Sequence, residues 1–260
     1  MPHPTTPFLL LLAFVALLAL ANLLVSLYAL HKVRRVHLKL FDLAQDSVRL
    51  GERMFRQVQA LDGLYREPGF ERALPPTRGW AASPDFLWIL ARHALEHRPE
   101  TVVECGSGVS TLVLARCLQK NGSGRVVSLD HDAQFAEETR RNLARHGLSD
   151  WAQVIDAPLR AGEIGGRTFT WYAREKVPDM DRIDMLVVDG PPTPMDPMMR
   201  YPAGPLLLAK LAPGGALFMD DADRPEERRI VELWLAENPG LRAERMECEK
   251  GCVAMRREAE

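Results

Sequence analysis

The segment from Thr101 to Thr111, TVVECGSGVST, restricts the fold of this chain more than any other part of the sequence. An apolar run ends in Glu104 and passes directly into a Gly-x-Gly turn. This pattern is typical of the point where a nucleotide-binding strand meets its helix. Gly106 and Gly108 carry no β-carbon, so the backbone can turn tightly and approach a ligand closely. A turn with two glycines is common, however, so this segment needs support from the rest of the chain.

Four further apolar segments follow, and each stops at an acidic residue or a loop: RVVSLDHD at 125–132, AQVIDAPL at 152–159, IDMLVVDGPP at 183–192 and GGALFMDDADR at 214–224. Such runs are typical of parallel strands that deliver polar side chains to one edge of a sheet. Helical segments lie between the strands, at 109–120, 133–146, 201–211 and 225–237. The alternation predicts an α/β fold, with a parallel sheet covered on both faces and ligands at the carboxyl ends of the strands.

The end of the chain follows a different pattern. Segments 241–248 and 250–257 are typical of two strands, with Gly251 near the turn between them. Too few residues separate these strands for a helical crossover, so we expect them to be antiparallel.

Taken together, these features resemble the class I S-adenosylmethionine-dependent methyltransferases over about residues 75–257. ECGSG is similar to the first motif of that family, Asp130 to its second-strand acid, and the terminal hairpin to its reversed last strand. The segments DGPP and DDADR most resemble the metal-assisted O-methyltransferases related to catechol O-methyltransferase. The resemblance implies a Rossmann-like sheet, S-adenosylmethionine (SAM) as cofactor, and a divalent metal such as Mg²⁺.

A dinucleotide-binding dehydrogenase is the main alternative for the glycine turn, because it also places an acid on a ribose about 20 residues later. Thr111 stands where that fingerprint has its third glycine. The terminal hairpin also favours the methyltransferase.

The resemblance assigns the methionine end of the cofactor to Glu104 and the turn that follows it. Ser110 and Thr111 can add hydroxyls at the start of the helix, where unpaired amides favour the cofactor's carboxylate. The alternative for these two hydroxyls is that they only cap the helix.

The adenosine end is assigned to the ends of the second and third strands. Asp130 can accept hydrogen bonds from both ribose hydroxyls, and His131 is expected near the adenine face. Asp156 and Ala157 resemble the adenine-edge position, although an acid at a strand end is otherwise often a helix cap. The predicted cofactor residues are Glu104, Gly106, Ser107, Gly108, Ser110, Asp130, His131, Asp156, Ala157 and Asp189.

A cluster of acids is expected where the fourth and fifth strands end, because the resemblance makes these strands neighbours about 4.8 Å apart. Clustered carboxylates repel each other unless a cation lies among them, and oxygen ligands favour magnesium. We therefore predict Asp189, Asp220 and Asp221 as metal ligands, with Asp189 as the catalytic residue. The alternative is that one of them caps the next helix, but Asp223 fits that role better because Glu226 follows at the capping-box position.

One departure from the catechol-type pattern concerns the general base. Those enzymes place a lysine three residues after the fourth-strand acid, and this chain has Pro192 there. The base is therefore unassigned: either a metal-bound acceptor is acidic enough without one, or a loop residue such as Asp196, Arg200 or Tyr201 supplies the polar contacts. Trp80 and Tyr201 are the aromatic residues that we expect near the acceptor.

The segment from Phe8 to Leu30 contains no charged residue over 23 positions. A helix of this length covers about 34 Å, enough to cross the ~30 Å hydrocarbon core of a bilayer. A cleaved signal peptide is the alternative, since Ala19-Leu20-Ala21 fits a small-x-small site, but the leader MPHPTTP carries no Lys or Arg. Basic residues follow the span instead, so we expect a single-pass anchor with the catalytic domain in the cytoplasm.

We expect four regions along the chain: a transmembrane anchor at 1–30, a juxtamembrane helix at 31–62, a linker at 63–77 and a methyltransferase domain at 78–260. Apolar residues at 36–61 follow an alternating four-three spacing. This spacing predicts either a coiled coil that forms a homodimer or an amphipathic helix lying on the domain or the lipid surface.

Composition restricts the partners and the compartment. A formal net charge of −2 at pH 7 argues against nucleic acid as the main partner. The four cysteines lack zinc-type spacing and fit a reducing compartment. The sequence thus predicts a membrane-anchored O-methyltransferase that acts on a small-molecule, lipid-linked or glycan acceptor. The alternative is a non-catalytic membrane-tethered module that binds nucleotide or proteins through a decayed methyltransferase fold.

Overall fold

The computed structural model describes residues 6–192 and 197–258. The chain divides into two units, Met1–Phe55 and Arg56–Glu260. The second unit contains every predicted site residue.

A single long helix, α1 (Thr6–Arg66), contains the described part of the predicted anchor, the predicted juxtamembrane helix and the first residues of the predicted linker. Its large apolar side chains from Phe8 to Phe55 are each more than half exposed. Within the described residues, α1 is the one helix long and apolar enough to cross a membrane, although a signal sequence meets the same criteria. Irregular chain begins at Glu67, four residues later than the predicted start of the linker.

The strands of the second unit are β1 (Thr101–Cys105), β2 (Arg125–Asp130), β3 (Ala152–Asp156), β4 (Leu159–Ile164), β5 (Arg167–Tyr172), β6 (Ile183–Val188), β7 (Leu211–Met219), β8 (Leu241–Met246) and β9 (Cys252–Arg257). Seven of them form one sheet with the order β3-β2-β1-β6-β7-β9-β8. The pairs among β1, β2, β3, β6 and β7 are parallel, whereas β9 is antiparallel to both β7 and β8. This topology confirms the predicted Rossmann-like sheet with its reversed last strand.

Three of the predicted helices form with nearly the predicted bounds: α3 (Val109–Asn121), α4 (Ala133–Arg145) and α6 (Pro225–Glu237). The predicted helix at 201–211 is shorter, and consists of α5 (Ala203–Leu207) followed by a 3₁₀ turn at Leu208–Lys210.

Helix α2 (Pro84–His97) was not predicted from the sequence. Pro84 occupies its first turn, where the missing backbone N–H costs no hydrogen bond, and Asp85 adds a negative charge at the positive end of the helix dipole. The helix buries Phe86, Leu87 and Leu90 in the same core as α3. This burial, rather than helix propensity, stabilises an element of only 14 residues.

A hairpin, β4–β5, occupies the connection between β3 and β6, where a parallel sheet ordinarily has a crossover helix. Its loop is Gly165-Gly166, with φ of +58° and +76°. Two consecutive positive φ values are what a two-residue hairpin turn of the favoured twist requires. The predicted third strand at 152–159 therefore ends at Asp156, and the hairpin follows it.

The core has two layers because consecutive side chains of a strand point to opposite faces. Val102 of β1 packs into the layer that contains α2 and α3. Val103 packs into the other layer, together with Leu207 of α5 and Trp234 of α6. Each such buried side chain contributes about 1.5–3 kcal/mol, so both faces hold the strand ends in fixed positions.

Candidate cofactor and metal site

The turn after β1 lies against the turn after β6. Gly106 has φ of +102°, and its N–H donates to the carbonyl of Leu129 at 2.9 Å. A β-carbon on Gly106 would lie 3.2 Å from the backbone nitrogen of Gly190. A glycine is therefore required at position 106 for both the positive φ and the close approach of the two turns.

Asp130 joins this turn to the end of β2. Its side chain is buried, and its Oδ2 accepts hydrogen bonds from the backbone N–H of Ser107, at 3.2 Å, and from the Ser107 hydroxyl. Its Oδ1 accepts from the N–H of Asp132 at 3.0 Å. A carboxylate has about four lone-pair sites, so Asp130 retains acceptor capacity while it positions the glycine turn.

The other predicted adenosine residues surround Asp130. Nδ1 of His131 lies 3.6 Å from Asp130 Oδ1, and the N–H of Ala157 donates to the Asp130 carbonyl at 2.7 Å. Asp156 pairs with Asp130 in the register of β2 and β3, and its carboxylate accepts from Arg140 Nη2 at 2.5 Å. Asp156 is therefore an ion-pair partner of α4 and not a helix cap.

Glu104 is fully buried at the end of β1. Thr111 donates its hydroxyl to Glu104 Oε2 at 2.5 Å and accepts from the N–H of Gly108 at 3.0 Å. Burial raises the Glu104 pKa to about 7, although hydrogen bonds from Ser110, Thr111 and Ser128 oppose the shift. Glu104 Oε1 has no hydrogen-bond partner among the described residues, so the acid can still accept from a ligand.

The three acids predicted to bind metal do converge. Asp189 follows β6, Asp220 and Asp221 follow β7, and their carboxylate oxygens lie within 4.8 Å of one another. Asp220 and Asp221 are buried, and Asp221 has φ of +58°. A left-handed backbone is strained for a residue other than glycine and is often found at functional sites.

A buried arginine lies inside this acid cluster. Arg200 is 3 % exposed, and its Nη2 donates to Asp221 Oδ2 and to the Asp189 carbonyl, both at 2.9 Å. Its Nη1 donates to the carbonyl of Asp220 at 3.0 Å. The second oxygen of Asp221 lies 3.0 Å from Nη2 of Arg224. The sequence indicated Arg200 only as a polar residue of the acceptor loop, and nothing in the local pattern marks it as buried among carboxylates.

Asp220 is the acid of the cluster whose negative charge has the fewest partners. Neither of its carboxylate oxygens has a hydrogen-bond partner among the described residues. Burial, followed by the charges of Asp189 and Asp221, raises its pKa well above the ordinary value. Burial also raises the Asp189 pKa to about 6, although Arg200 opposes that shift. Oxygen donors with unmet negative charge fit a hard divalent cation, and the fit is best for Asp189 and Asp220 because Asp221 already contacts two arginines.

The predicted capping role of Asp223 is wrong. The N-cap of α6 is Arg224, which makes no side-chain capping bond, and the Asp223 carboxylate pairs instead with Arg245 of β8. The N–H of Ala222 donates to the carbonyl of Gly251 at 3.0 Å. The helix itself begins at Pro225, as predicted, without a side-chain cap.

Trp80 lies on a loop that is attached to the acid side of the site. It is 75 % exposed, and its neighbours Gly79 and Ala81 accept hydrogen bonds from Lys250 Nζ at 3.3 and 3.0 Å. The charge of Lys250 also partly opposes the rise in the Asp220 pKa. An exposed tryptophan at this position is available to contact an acceptor.

Two other loop residues, Tyr201 and Asp196, were also expected near the acceptor. Tyr201 donates its hydroxyl to Glu237 at 2.7 Å, and its ring packs on Phe169 with centroids 5.0 Å apart, so its polar atom is directed to the end of α6. Asp196 lies outside the described residues.

Known proteins share this architecture. Residues 103–222 match a family model described as a methyltransferase domain. Among solved structures, the chain is similar to an O-methyltransferase from Bacillus cereus in complex with S-adenosylhomocysteine (SAH), at 19% identity over 78% of this chain and 90% of that chain, with a TM-score of 0.53.

Two further structures are similar to this chain. The O-methyltransferase TomG from Streptomyces achromogenes, solved with SAM, matches at 18% identity over 79% of this chain and 90% of that chain (TM-score 0.50). The SAH-bound methyltransferase PaMTH1 from Podospora anserina matches at 13% identity over 78% of this chain and 88% of that chain (TM-score 0.51). At these identities the likeness shows the fold. No curated protein sequence matches the chain significantly.

Proposed function

We propose that this chain transfers the methyl group of SAM to a hydroxyl oxygen of a small-molecule, lipid-linked or glycan acceptor, because residues 103–222 match a methyltransferase-domain model and the chain shares the fold of an O-methyltransferase solved with SAH. The observation that carries this proposal is the attachment of the glycine turn to Asp130 at the carboxyl edge of the sheet. When bound, SAM supplies the electrophilic methyl group.

The residues of the turn fit the two ends of that cofactor. Asp130 has free acceptor capacity for the ribose hydroxyls. Glu104 Oε1, which is buried without a partner among the described residues, would accept from the methionine ammonium group. Gly106 keeps the turn free of side-chain bulk, so the backbone amides near Ser107 can approach the cofactor.

The acid cluster fits the acceptor side. Asp189 and Asp220 would hold a divalent cation, which when bound supplies Lewis acidity toward the acceptor hydroxyl. Methyl transfer is an in-line displacement, so the main task of the protein is to hold the acceptor oxygen behind the methyl group. No lysine base is needed if the acceptor loses its proton easily, which agrees with Pro192 at the position of that lysine.

We also propose that α1 anchors the enzyme, with the catalytic domain in the cytoplasm and a homodimer formed through residues 36–61. The exposed apolar side chains of α1 from Phe8 to Phe55 support the anchor. The basic residues support the orientation, because they follow the apolar span: Lys32, Arg34, Arg35 and Lys39. An anchor would hold the enzyme close to a lipid-linked acceptor.

Membrane topology can be measured without knowledge of the acceptor. We expect a reporter fused after Glu260 to be active on the cytoplasmic side and the full-length chain to resist alkaline extraction from membranes. A mature protein that begins near Asn22 would instead demonstrate a cleaved signal sequence and exclude the anchor.

The cofactor site is tested by comparing two acids that lie two residues apart. We expect Asp130→Ala to weaken SAM and SAH binding about 10- to 100-fold in calorimetry on the full-length protein in detergent, because charge-assisted hydrogen bonds to the ribose are lost. Asp132→Ala is the control. Asp132 caps α4 by accepting from the N–H groups of Gln134 and Phe135, so its loss should cost about 1 kcal/mol of stability and leave SAM affinity nearly unchanged.

Equal effects of the two substitutions would contradict the assignment of Asp130. A wild-type protein that binds neither compound would exclude the methyltransferase proposal. Such a result would leave the non-catalytic module as the remaining function.

A further inference from the structure

Tyr172 is the last residue of the β4–β5 hairpin and carries a buried hydroxyl group. The residue is 2 % exposed, and its hydroxyl makes no hydrogen bond within the part of the chain that the structure describes. The ring packs edge-on against Trp171, with centroids 5.2 Å apart. Packing thus explains the aromatic ring but leaves the hydroxyl without a structural role.

The position of this hydroxyl is defined by the two glycines of the site. A β-carbon on Gly190 would lie 2.7 Å from the Tyr172 hydroxyl and 3.1 Å from Cα of Gly106. The hydroxyl therefore lies where the turn after β1 meets the turn after β6. Any side chain at position 190 would clash with the hydroxyl, so the glycine is required beside it.

The surroundings keep the group protonated. Burial raises the Tyr172 pKa well above its ordinary value, and the charges of Asp130 and Asp189 raise it further, while Arg200 opposes them. The hydroxyl is therefore a hydrogen-bond donor at neutral pH, between the acid expected to bind ribose and the acid expected to face the acceptor. A buried donor without a partner is unfavourable, and such groups in native proteins call for a specific explanation.

We propose that the Tyr172 hydroxyl donates a hydrogen bond to an oxygen of the bound cofactor. The hairpin that replaces the crossover helix thus supplies a cofactor-binding residue from outside the glycine turn and the strand-end acids. This inference rests on the proposed function, because it takes SAM as the ligand. The oxygen belongs either to the ribose or to the methionine carboxylate, and the two can be separated by experiment.

The test compares Tyr172→Phe with the wild-type full-length protein in detergent. Calorimetry with SAH should show affinity about tenfold weaker in the variant, because one buried hydrogen bond is lost. The thermal midpoint without ligand should be equal to or above that of wild type, because the removed hydroxyl has no partner to lose. Tyr65→Phe is the matched control, since its hydroxyl accepts a hydrogen bond from the N–H of Leu74 and its removal should leave SAH affinity unchanged.

A second ligand identifies the oxygen. 5′-Methylthioadenosine keeps the ribose of SAH but lacks the methionine carboxylate. If Tyr172→Phe weakens both ligands equally, the bond is to the ribose, and if it weakens only SAH, the bond is to the carboxylate.

Each remaining outcome overturns the inference. Unchanged SAH affinity in Tyr172→Phe, with wild type binding normally, would refute the hydrogen bond while leaving the proposed function intact. A clear fall in the ligand-free midpoint would mean that the hydroxyl has a structural partner. If the wild-type protein binds no SAH, both the proposed function and this inference fail.

Discussion

Asp220→Asn is expected to make the cation-free protein more stable and, at the same time, to remove its affinity for a divalent cation. The carboxylate is buried without a partner among the described residues, and its charged form is therefore costly. An amide of the same shape should raise the free energy of unfolding by about 1–3 kcal/mol at neutral pH. Affinity for Mg²⁺ or Mn²⁺ should fall by more than about 100-fold, because an anionic ligand is lost.

The raised pKa of Asp220 also predicts the direction in which stability changes with pH. Because the Asp220 pKa is raised in the folded protein, the folded state keeps this proton to a higher pH than the unfolded state. Wild-type stability should therefore fall as pH rises above the ordinary carboxyl value, and Asp220→Asn should remove that part of the slope. Denaturant unfolding in EDTA at a series of pH values measures the effect.

Asp223→Asn is the matched control for this experiment. Asp223 lies two residues beyond Asp221, but its carboxylate is half exposed and pairs with Arg245 at the surface. Its substitution should change stability by less than about 1 kcal/mol and leave cation binding unchanged. If Asp220→Asn destabilises the protein and binds the cation as well as wild type does, Asp220 is not a ligand.

Arg200→Met should be the most destabilising single change in the site. Arg200 is buried among Asp189, Asp221 and the carbonyls of the turns, so its loss leaves buried carboxylates without compensation. We expect a loss of about 3–5 kcal/mol in the free energy of unfolding. Excess Mg²⁺ should restore part of this loss, because a cation can replace the missing charge.

Arg224→Met tests whether burial of the arginine is the reason for the large loss of stability expected in Arg200→Met. Arg224 contacts Asp221 at 3.0 Å, but its side chain is 42% exposed, so solvent compensates for its removal. The expected loss is within about 1 kcal/mol. Equal losses for the two substitutions would mean that the acid cluster does not depend on the buried guanidinium.

The strand ends of the site could be predicted because their signals are local. Each parallel strand is a short apolar run, and an acid marks the carboxyl end of each: Glu104, Asp130, Asp156, Asp189 and Asp220. Parallel strands align these ends at one edge of a sheet, and the family resemblance makes the fourth and fifth strands neighbours, so the convergence of the acids could be expected. The same periodicity gave the bounds of α3, α4 and α6 to within one residue.

The β4–β5 hairpin and the burial of Arg200 inside the acid cluster could not be predicted in the same way. The β4–β5 hairpin replaces a helix that the alternating pattern implies, and Gly165-Gly166 is its only strong local signal. The burial of Arg200 depends on contacts with two other turns, which a sequence pattern does not contain. Asp223 has the capping-box spacing, but its carboxylate pairs with Arg245 of the distant strand β8 instead of capping the helix.

The most direct test is calorimetric titration of the full-length wild-type protein in detergent, with SAH and with NAD⁺, in the presence of EDTA. We expect SAH to bind in the micromolar range, since the ribose and methionine contacts do not require the cation, and NAD⁺ to show no binding. Failure to bind SAH, or equally tight binding of NAD⁺, would contradict the assignment of this domain as a SAM-dependent methyltransferase.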